Sequence, residues 1–235
     1  MIDAIILAAG KGTRLMPITQ DKPKAMVEVK GKPIISWILD VLKQIQIKKV
    51  FIITGYREGT LKSYIKYNYK DMDINFLHQK ELTGTADAIA LAEGYIGNNF
   101  LVLSGDTIYK PEELMKLMEW ENSLLYTEQN TRLYEYGTID LNTNKLPEEG
   151  FYLKFINEKT TRPTTNNINC GVYHFNREVF RYIRDTEYDG RFSEKIITNT
   201  INMMIDDGID FRGFYVKELN EISRPEDIEN IENRL

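Results

Sequence analysis

The stretch Ala4-Ile5-Ile6-Leu7-Ala8-Ala9-Gly10-Lys11-Gly12-Thr13-Arg14-Leu15 decides the fold class. Ala4 to Ala8 is continuously apolar, where a strand with one wet face would alternate. A strand buried on both faces belongs to a parallel sheet with helices packed on each side. The run ends in a glycine turn carrying cations, and open parallel sheets bind ligands just beyond the carboxyl ends of their strands. The glycines let backbone N–H groups approach an anion, while Arg14 and the nearby Lys24 add mobile positive charge. The loop fits neither standard phosphate motif. A dinucleotide fingerprint needs glycine where Leu15 stands, and a Walker A loop needs Gly-Lys-Ser/Thr.

Outward from this loop, apolar runs alternate with helical patterns. Ile34, Ile35, Ile38, Leu39, Leu42 and Ile45 recur at helical spacing, with Pro33 near the first turn. Buried strands are expected at Val50–Thr54 and Phe100–Ser104, a further strand around Ile74–His78, and helices around Leu61–Tyr67, Ala86–Ala92 and Pro111–Glu119. Beyond residue 120 the strand-like stretches are Leu124–Gln129, Gly137–Leu141, Tyr152–Asn157 and Ile168–Phe175, with helices around Arg177–Arg184, Glu194–Asp206 and Pro225–Leu235. The expected architecture is a three-layer α/β/α fold, Rossmann-like, with a doubly wound and mostly parallel sheet. Its C-terminal half, about 121–235, is more antiparallel than the half at about 1–120. No Pro/Ser linker separates the halves, so residues 1–235 read as one domain.

Composition narrows the function classes. The 235 residues carry a net charge of −5, which disfavours a nucleic-acid partner because no basic excess faces a phosphate backbone. The single cysteine, Cys170, rules out an internal disulfide, and with two histidines a His/Cys zinc site is disfavoured. Ile5–Ala9 is too short for a secretory segment or a membrane span, so a cytoplasmic protein without membrane attachment is expected. Oligomeric state is not legible, and a homo-oligomer is left open.

The longer string Leu7-Ala8-Ala9-Gly10-Lys11-Gly12-Thr13-Arg14-Leu15-Met16-Pro17-Ile18-Thr19, followed by Asp21-Lys22-Pro23-Lys24-Ala25-Met26-Val27, resembles the signature of the sugar-phosphate nucleotidyltransferases, the nucleotide-sugar pyrophosphorylases. Further matching motifs follow in order over nearly the whole chain. The resemblance implies Mg²⁺-dependent transfer of a nucleoside monophosphate from a triphosphate to a sugar 1-phosphate, with UTP or dTTP the expected donor and pyrophosphate the leaving group. No hexapeptide repeats trail the sequence, so members with an appended β-helix are not the expected type.

Residue roles implied by the resemblance follow the motifs. Arg14, Lys24 and Asp106 are the catalytic candidates, with Arg14 on the departing pyrophosphate and Lys24 on the α-phosphate. Leu7, Ala9, Gly10, Gly12, Thr13, Gln79, Gly84 and Thr85 fall in the nucleotide-binding segments, although Thr85 also reads as a helix cap. Asp106, closing Leu101-Val102-Leu103-Ser104-Gly105-Asp106, is the first Mg²⁺ ligand, hard oxygen being what that ion prefers. Glu221, in Leu219-Asn220-Glu221-Ile222-Ser223-Arg224-Pro225, stands where the family has its second aspartate, and Asn220 beside it is the alternative. Ser223 reads as the cap of the final helix. Gly137, Glu158, Lys159 and Asn169 match the acceptor-side motifs, with Thr160 where a proline usually follows the lysine. Glu194 and Thr198 fit a pattern on the next helix, and Tyr173, Phe175 and Phe180 read as core.

Two rival readings remain at this level. Glu221 is similar to the cytidylyltransferases that act on phosphorylated alcohols such as choline phosphate or inositol phosphate. A regulatory subunit that binds a nucleotide sugar without turnover could dispense with Arg14, Lys24 and Asp106, all of which are present.

Overall fold

The structure is a computed structural model, and it describes residues 2–145 and 147–235. The first strand, β1 (Asp3–Ala8), leads through the glycine turn to a small hairpin, β2 (Glu28–Val29) and β3 (Lys32–Pro33). Lys30 and Gly31 both adopt left-handed backbone at its two-residue turn, the geometry that matches strand twist. Helix α1 (Ile34–Gln44) follows, then β4 (Lys49–Thr54), α2 (Glu58–Asn68) and β5 (Asp73–His78). The half closes with α3 (Thr85–Ala90), β6 (Asn99–Ser104) and α4 (Pro111–Met118). Pro111 at the first helical position and the Glu113 carboxylate, which accepts the Lys110 N–H at 3.0 Å, set where α4 starts.

The second half holds β7 (Ser123–Glu128), β8 (Gly137–Leu141), β9 (Phe151–Glu158) and β10 (Asn167–Asn176). After α5 (Val179–Asp185) and α6 (Ile197–Asp206) come β11 (Arg212–Tyr215) and α7 (Pro225–Glu232). The short strand β11 was not anticipated. Its arginine is accommodated because the Arg212 guanidinium lies 3.7 Å from the centroid of the Trp120 ring.

Among the described residues, nine strands form one sheet in the order β5-β4-β1-β6-β10-β7-β11-β9-β8. The pairs β5–β4, β4–β1 and β1–β6 are parallel, as expected for the first half. Strand β10 pairs antiparallel with β6, and its first residues also meet β7 and β8, with Ile168 opposite both Thr127 and Thr138. Strand β10 therefore belongs to both halves. Its register shifts between Asn169 and Tyr173, where the acceptor-side motif lies.

Successive residues of β1 feed opposite cores. Ala4, Ile6 and Ala8 face a cluster with the apolar stripe of α1, Leu61 and Ile65 of α2, and Leu114 and Leu117 of α4. Ile5 faces the other, with Ile89 of α3, Phe180 of α5 and Ile201 of α6. This is the expected three-layer arrangement, and it explains why β1 shows no alternation. Tyr173, Phe175 and Phe180 are indeed buried in the second core.

His174 of β10 is buried, with Nδ1 placed to donate to the Trp120 carbonyl at 2.9 Å and Nε2 without a partner. Burial lowers its pKa below the ordinary 6.5. A depressed value contributes stability above the unfolded-state value, lost as pH falls through the folded one. The urea midpoint should therefore fall on acidification below about pH 6.5, and fall less in His174→Gln. Equal acid sensitivity of the two proteins would rule this contribution out.

Candidate active site

The glycine turn is built around Gly12. Its φ is 62°, while Gly10 has ordinary backbone, so only one of the two expected glycines uses left-handed geometry. A Cβ on Gly12 would lie 3.1 Å from the Lys24 Cβ and the Thr19 Cγ2. The Thr19 hydroxyl donates to the Gly12 carbonyl at 2.8 Å. These contacts fold the Lys24 segment back onto the turn. Parallel register then brings Leu7 opposite Ser104, so the chain leaving β6 passes beside the chain leaving β1. The Lys24 ammonium donates to Asp106 Oδ2 at 2.6 Å.

Glu221 joins this carboxylate by backbone pairing. Thr107 and Glu221 form an antiparallel bridge, and the Ile222 N–H donates to the Asp106 carbonyl at 2.9 Å. Burial, and next the charge of Asp106, push the Glu221 carboxyl up to about 7. Two carboxylates held together in this way repel, and a divalent cation between them would relieve the repulsion. Among the described residues no third His, Cys, Asp or Glu completes a metal cluster. A cation here would need substrate phosphate oxygens in its shell, which suits Mg²⁺. Asn220 is buried, its amide oxygen has no partner among the described residues, and it lines neither of the two cavities that Glu221 and Asp106 share. Ser223 does not cap the last helix. The Asp227 carboxylate instead reaches back to accept the Ser223 and Arg224 N–H groups at 2.9 and 2.8 Å.

Three cavities meet at Asp106, which lines each of them. The first, of about 340 Å³, contains Gly10, Gly12, Thr13, Arg14 and Lys24 together with Glu221. The three expected catalytic residues thus share one space. The second, of about 280 Å³, is walled by Leu7, Ala9, Gly10, Gln79, Gly84 and Thr85, with Ile53, Leu82 and Ala88 adding apolar surface. Gln79 is nearly buried, and its side-chain N–H₂ donates to the Gly84 carbonyl at 3.1 Å. Gly84 has φ 120°, and a Cβ there would lie 2.2 Å from the Lys195 carbonyl oxygen, so no side chain fits. Thr85 is not a cap either. Its hydroxyl accepts the Ile197 N–H at 2.9 Å and ties α3 to α6.

The third cavity, of about 230 Å³, gathers Gly137, Glu158, Lys159 and Asn169, with Glu194 and Thr198. Burial raises the Glu158 pKa against the opposing pull of Lys159 and of the Thr198 hydroxyl, which donates to Oε2 at 3.0 Å. Asn169 donates to the Tyr173 hydroxyl at 2.6 Å and accepts the Gly171 N–H at 3.0 Å, spanning the shift in β10. The Lys159 ammonium stands over the Phe192 ring, 5.0 Å from its centroid, and 3.9 Å from Glu158 Oε1. Lys159 also lines the first cavity and can serve both.

Sequence reasoning missed Glu135, Ser104 and Thr107, which line these cavities. Glu135 sits in Thr131-Arg132-Leu133-Tyr134-Glu135, a stretch without apolar periodicity. Its position directly before Tyr136-Gly137 was the available signal.

The family model described as Nucleotidyl transferase matches residues 3–218. The "Bifunctional protein GlmU" of Methanocaldococcus jannaschii is 31% identical over 97% of this chain and 52% of its own length. This chain thus spans about half the length of the first curated relatives it matches. A UTP–glucose-1-phosphate uridylyltransferase of Haloferax volcanii is 28% identical, covering 100% of this chain and 96% of that one. A crystal structure of UDP-glucose pyrophosphorylase complexed with UDP-glucose superposes with a TM-score of 0.88 at 21% identity, covering 100% of this chain and 98% of that one. That likeness establishes the fold, and no helix among the described residues is long and apolar enough to cross a membrane. With a family match spanning all but the first two and last seventeen residues, the chain belongs to the nucleotidyl transferase family.

Proposed function

We propose that this protein transfers a nucleoside monophosphate from UTP or dTTP to a sugar 1-phosphate and releases pyrophosphate. The observation that carries the reading is the meeting of three differently lined cavities at Asp106: one apolar with a fixed amide, one cationic, one rich in hydroxyl-binding groups. An oxygen of the acceptor phosphate attacks the α-phosphorus in line, and the bond from that phosphorus to the bridging oxygen of pyrophosphate breaks. Both reactants are polyanions, so the work is charge neutralisation and alignment. The acceptor phosphate is already ionised near neutral pH, and no general base is required.

Under this reading Arg14 holds the departing pyrophosphate, Lys24 the α-phosphate and Lys159 the attacking phosphate. Glu158 and Asn169 accept and donate to sugar hydroxyls, a use that their mixed hydrogen-bonding capacity suits. Asp106 and Glu221 would hold Mg²⁺, which would neutralise phosphate oxygens when bound.

Under this reading Gln79 meets the base. Gly84 takes one of the two side-chain N–H donors, so the amide oxygen and the second N–H are left for a ligand. Uracil and thymine present an N3–H beside a carbonyl, a pair that this amide complements. The preference for UTP follows the uridylyltransferase relative that matches end to end.

A panel of the five nucleoside triphosphates against sugar 1-phosphates and choline phosphate, read by pyrophosphate release, tests the proposal. Turnover is expected for UTP or dTTP with a sugar 1-phosphate. Turnover with CTP and choline phosphate alone would replace this reading by the cytidylyltransferase one. Nucleotide binding with no turnover for any acceptor would favour a regulatory subunit.

A further inference from the structure

A carboxylate facing a phosphate cavity works against anion binding and calls for a reason. Glu135 is such a group: it lines the cationic cavity beside Arg14 and Lys24, and the acceptor cavity as well. Its side chain is only 7% exposed and its two oxygens are divided between two arginines. Oε2 accepts from Arg14 Nη1 at 2.8 Å, and Oε1 accepts from Arg224 Nη2 at 2.6 Å. Arg14 approaches from the glycine turn after β1, and Arg224 from the residue that precedes α7.

The two contacts are unequal. Each arginine gives Glu135 one nitrogen, and the Arg14 side chain is 50% exposed against 36% for Arg224, so Arg14 can leave at the lower cost. If it leaves, Glu135 keeps Arg224 and is not left as an unpaired buried charge, the situation that costs most. The arrangement suits a group that lets a cation go and takes it back.

We propose that Glu135 is a positioning residue that competes with pyrophosphate for Arg14, lowering the affinity of the cavity for this product and recapturing the guanidinium as it departs. The inference rests on the functional reading above, in which Arg14 faces the pyrophosphate. Product release limits turnover in many enzymes, and a tetra-anion held by undivided cations would leave slowly. The carboxylate that splits the claim on Arg14 addresses this problem.

Titration calorimetry with inorganic pyrophosphate and magnesium on the full chain tests the inference. Glu135→Gln should bind pyrophosphate about tenfold more tightly than wild type, the size expected from removing one charge-assisted competitor. In an Arg14→Ala background the same substitution should change affinity by less than about twofold, because the competition is for Arg14. Equal tightening in both backgrounds would mean that only the lost negative charge matters, and the inference would fall. Unchanged or weaker binding by Glu135→Gln would overturn it too, since a mere holder of Arg14 loses affinity when removed. Should Glu135→Gln not fold, Glu135→Asp, which draws the carboxylate back by one methylene and so loosens its hold on Arg14, must show tightening in the same direction. Wild type that binds neither UTP nor pyrophosphate would sink the functional reading itself, whereas normal wild-type binding with no tightening in either variant sinks only the role of Glu135.

Discussion

Asp106→Asn should lower kcat by about two to three orders of magnitude, the loss typical of a removed transition-state contact in a preorganised site. Asp106 lines all three cavities, touches Lys24, and shares the proposed cation with Glu221. Asparagine keeps the shape and one acceptor oxygen but loses the negative charge, which weakens both relations together. The side chain is a quarter exposed and outside both apolar cores, so the urea midpoint should stay close to that of wild type. The assay is pyrophosphate release at saturating triphosphate and acceptor across a magnesium titration. A higher magnesium requirement alongside the lost rate is expected, and a wild-type rate at ordinary magnesium would remove Asp106 from the mechanism.

Lys24→Ala should cause a loss of similar size with a different signature. Its ammonium is mostly shielded and already fixed by Asp106 at 2.6 Å, so it meets the triphosphate from a set position. A contact that strengthens as charge develops at the α-phosphate lowers kcat and kcat/KM together when removed, whereas a purely ground-state contact raises KM alone. The magnesium requirement should not move. Because Lys24 and Asp106 act as a unit, the double variant should fall less than the product of the two single losses. Full additivity, or a change confined to KM, would show that Lys24 only helps to bind nucleotide.

The first half of the fold was legible because β1, β4 and β6 are buried on both faces and show continuous apolar runs. Strand β11 was not, since Arg212-Gly213-Phe214-Tyr215 is short, charged and interrupted by glycine, and its support comes from Trp120 and from β7 and β9. The hairpin at Glu28–Pro33 escaped notice because each arm has only two residues. At the site, residues grouped along the sequence were found together in space. What stayed hidden were pairings across it: Glu135 lies 121 positions from Arg14, and no local pattern announces such a contact. The capping roles of Thr85 and Ser223 failed for a related reason. A hydroxyl at a helix start has tertiary partners to choose from, and Thr85 serves Ile197, while Asp227 does the work expected of Ser223.

Strand β10 lies antiparallel between β6 and β7 and also meets β8 near its start. The walls of the cleft are therefore woven from one thread and have no independent jaws. Hinged closure of one half over the other would tear a ladder of backbone hydrogen bonds, so enclosure of the reactants falls to the side chains and turns at the strand ends.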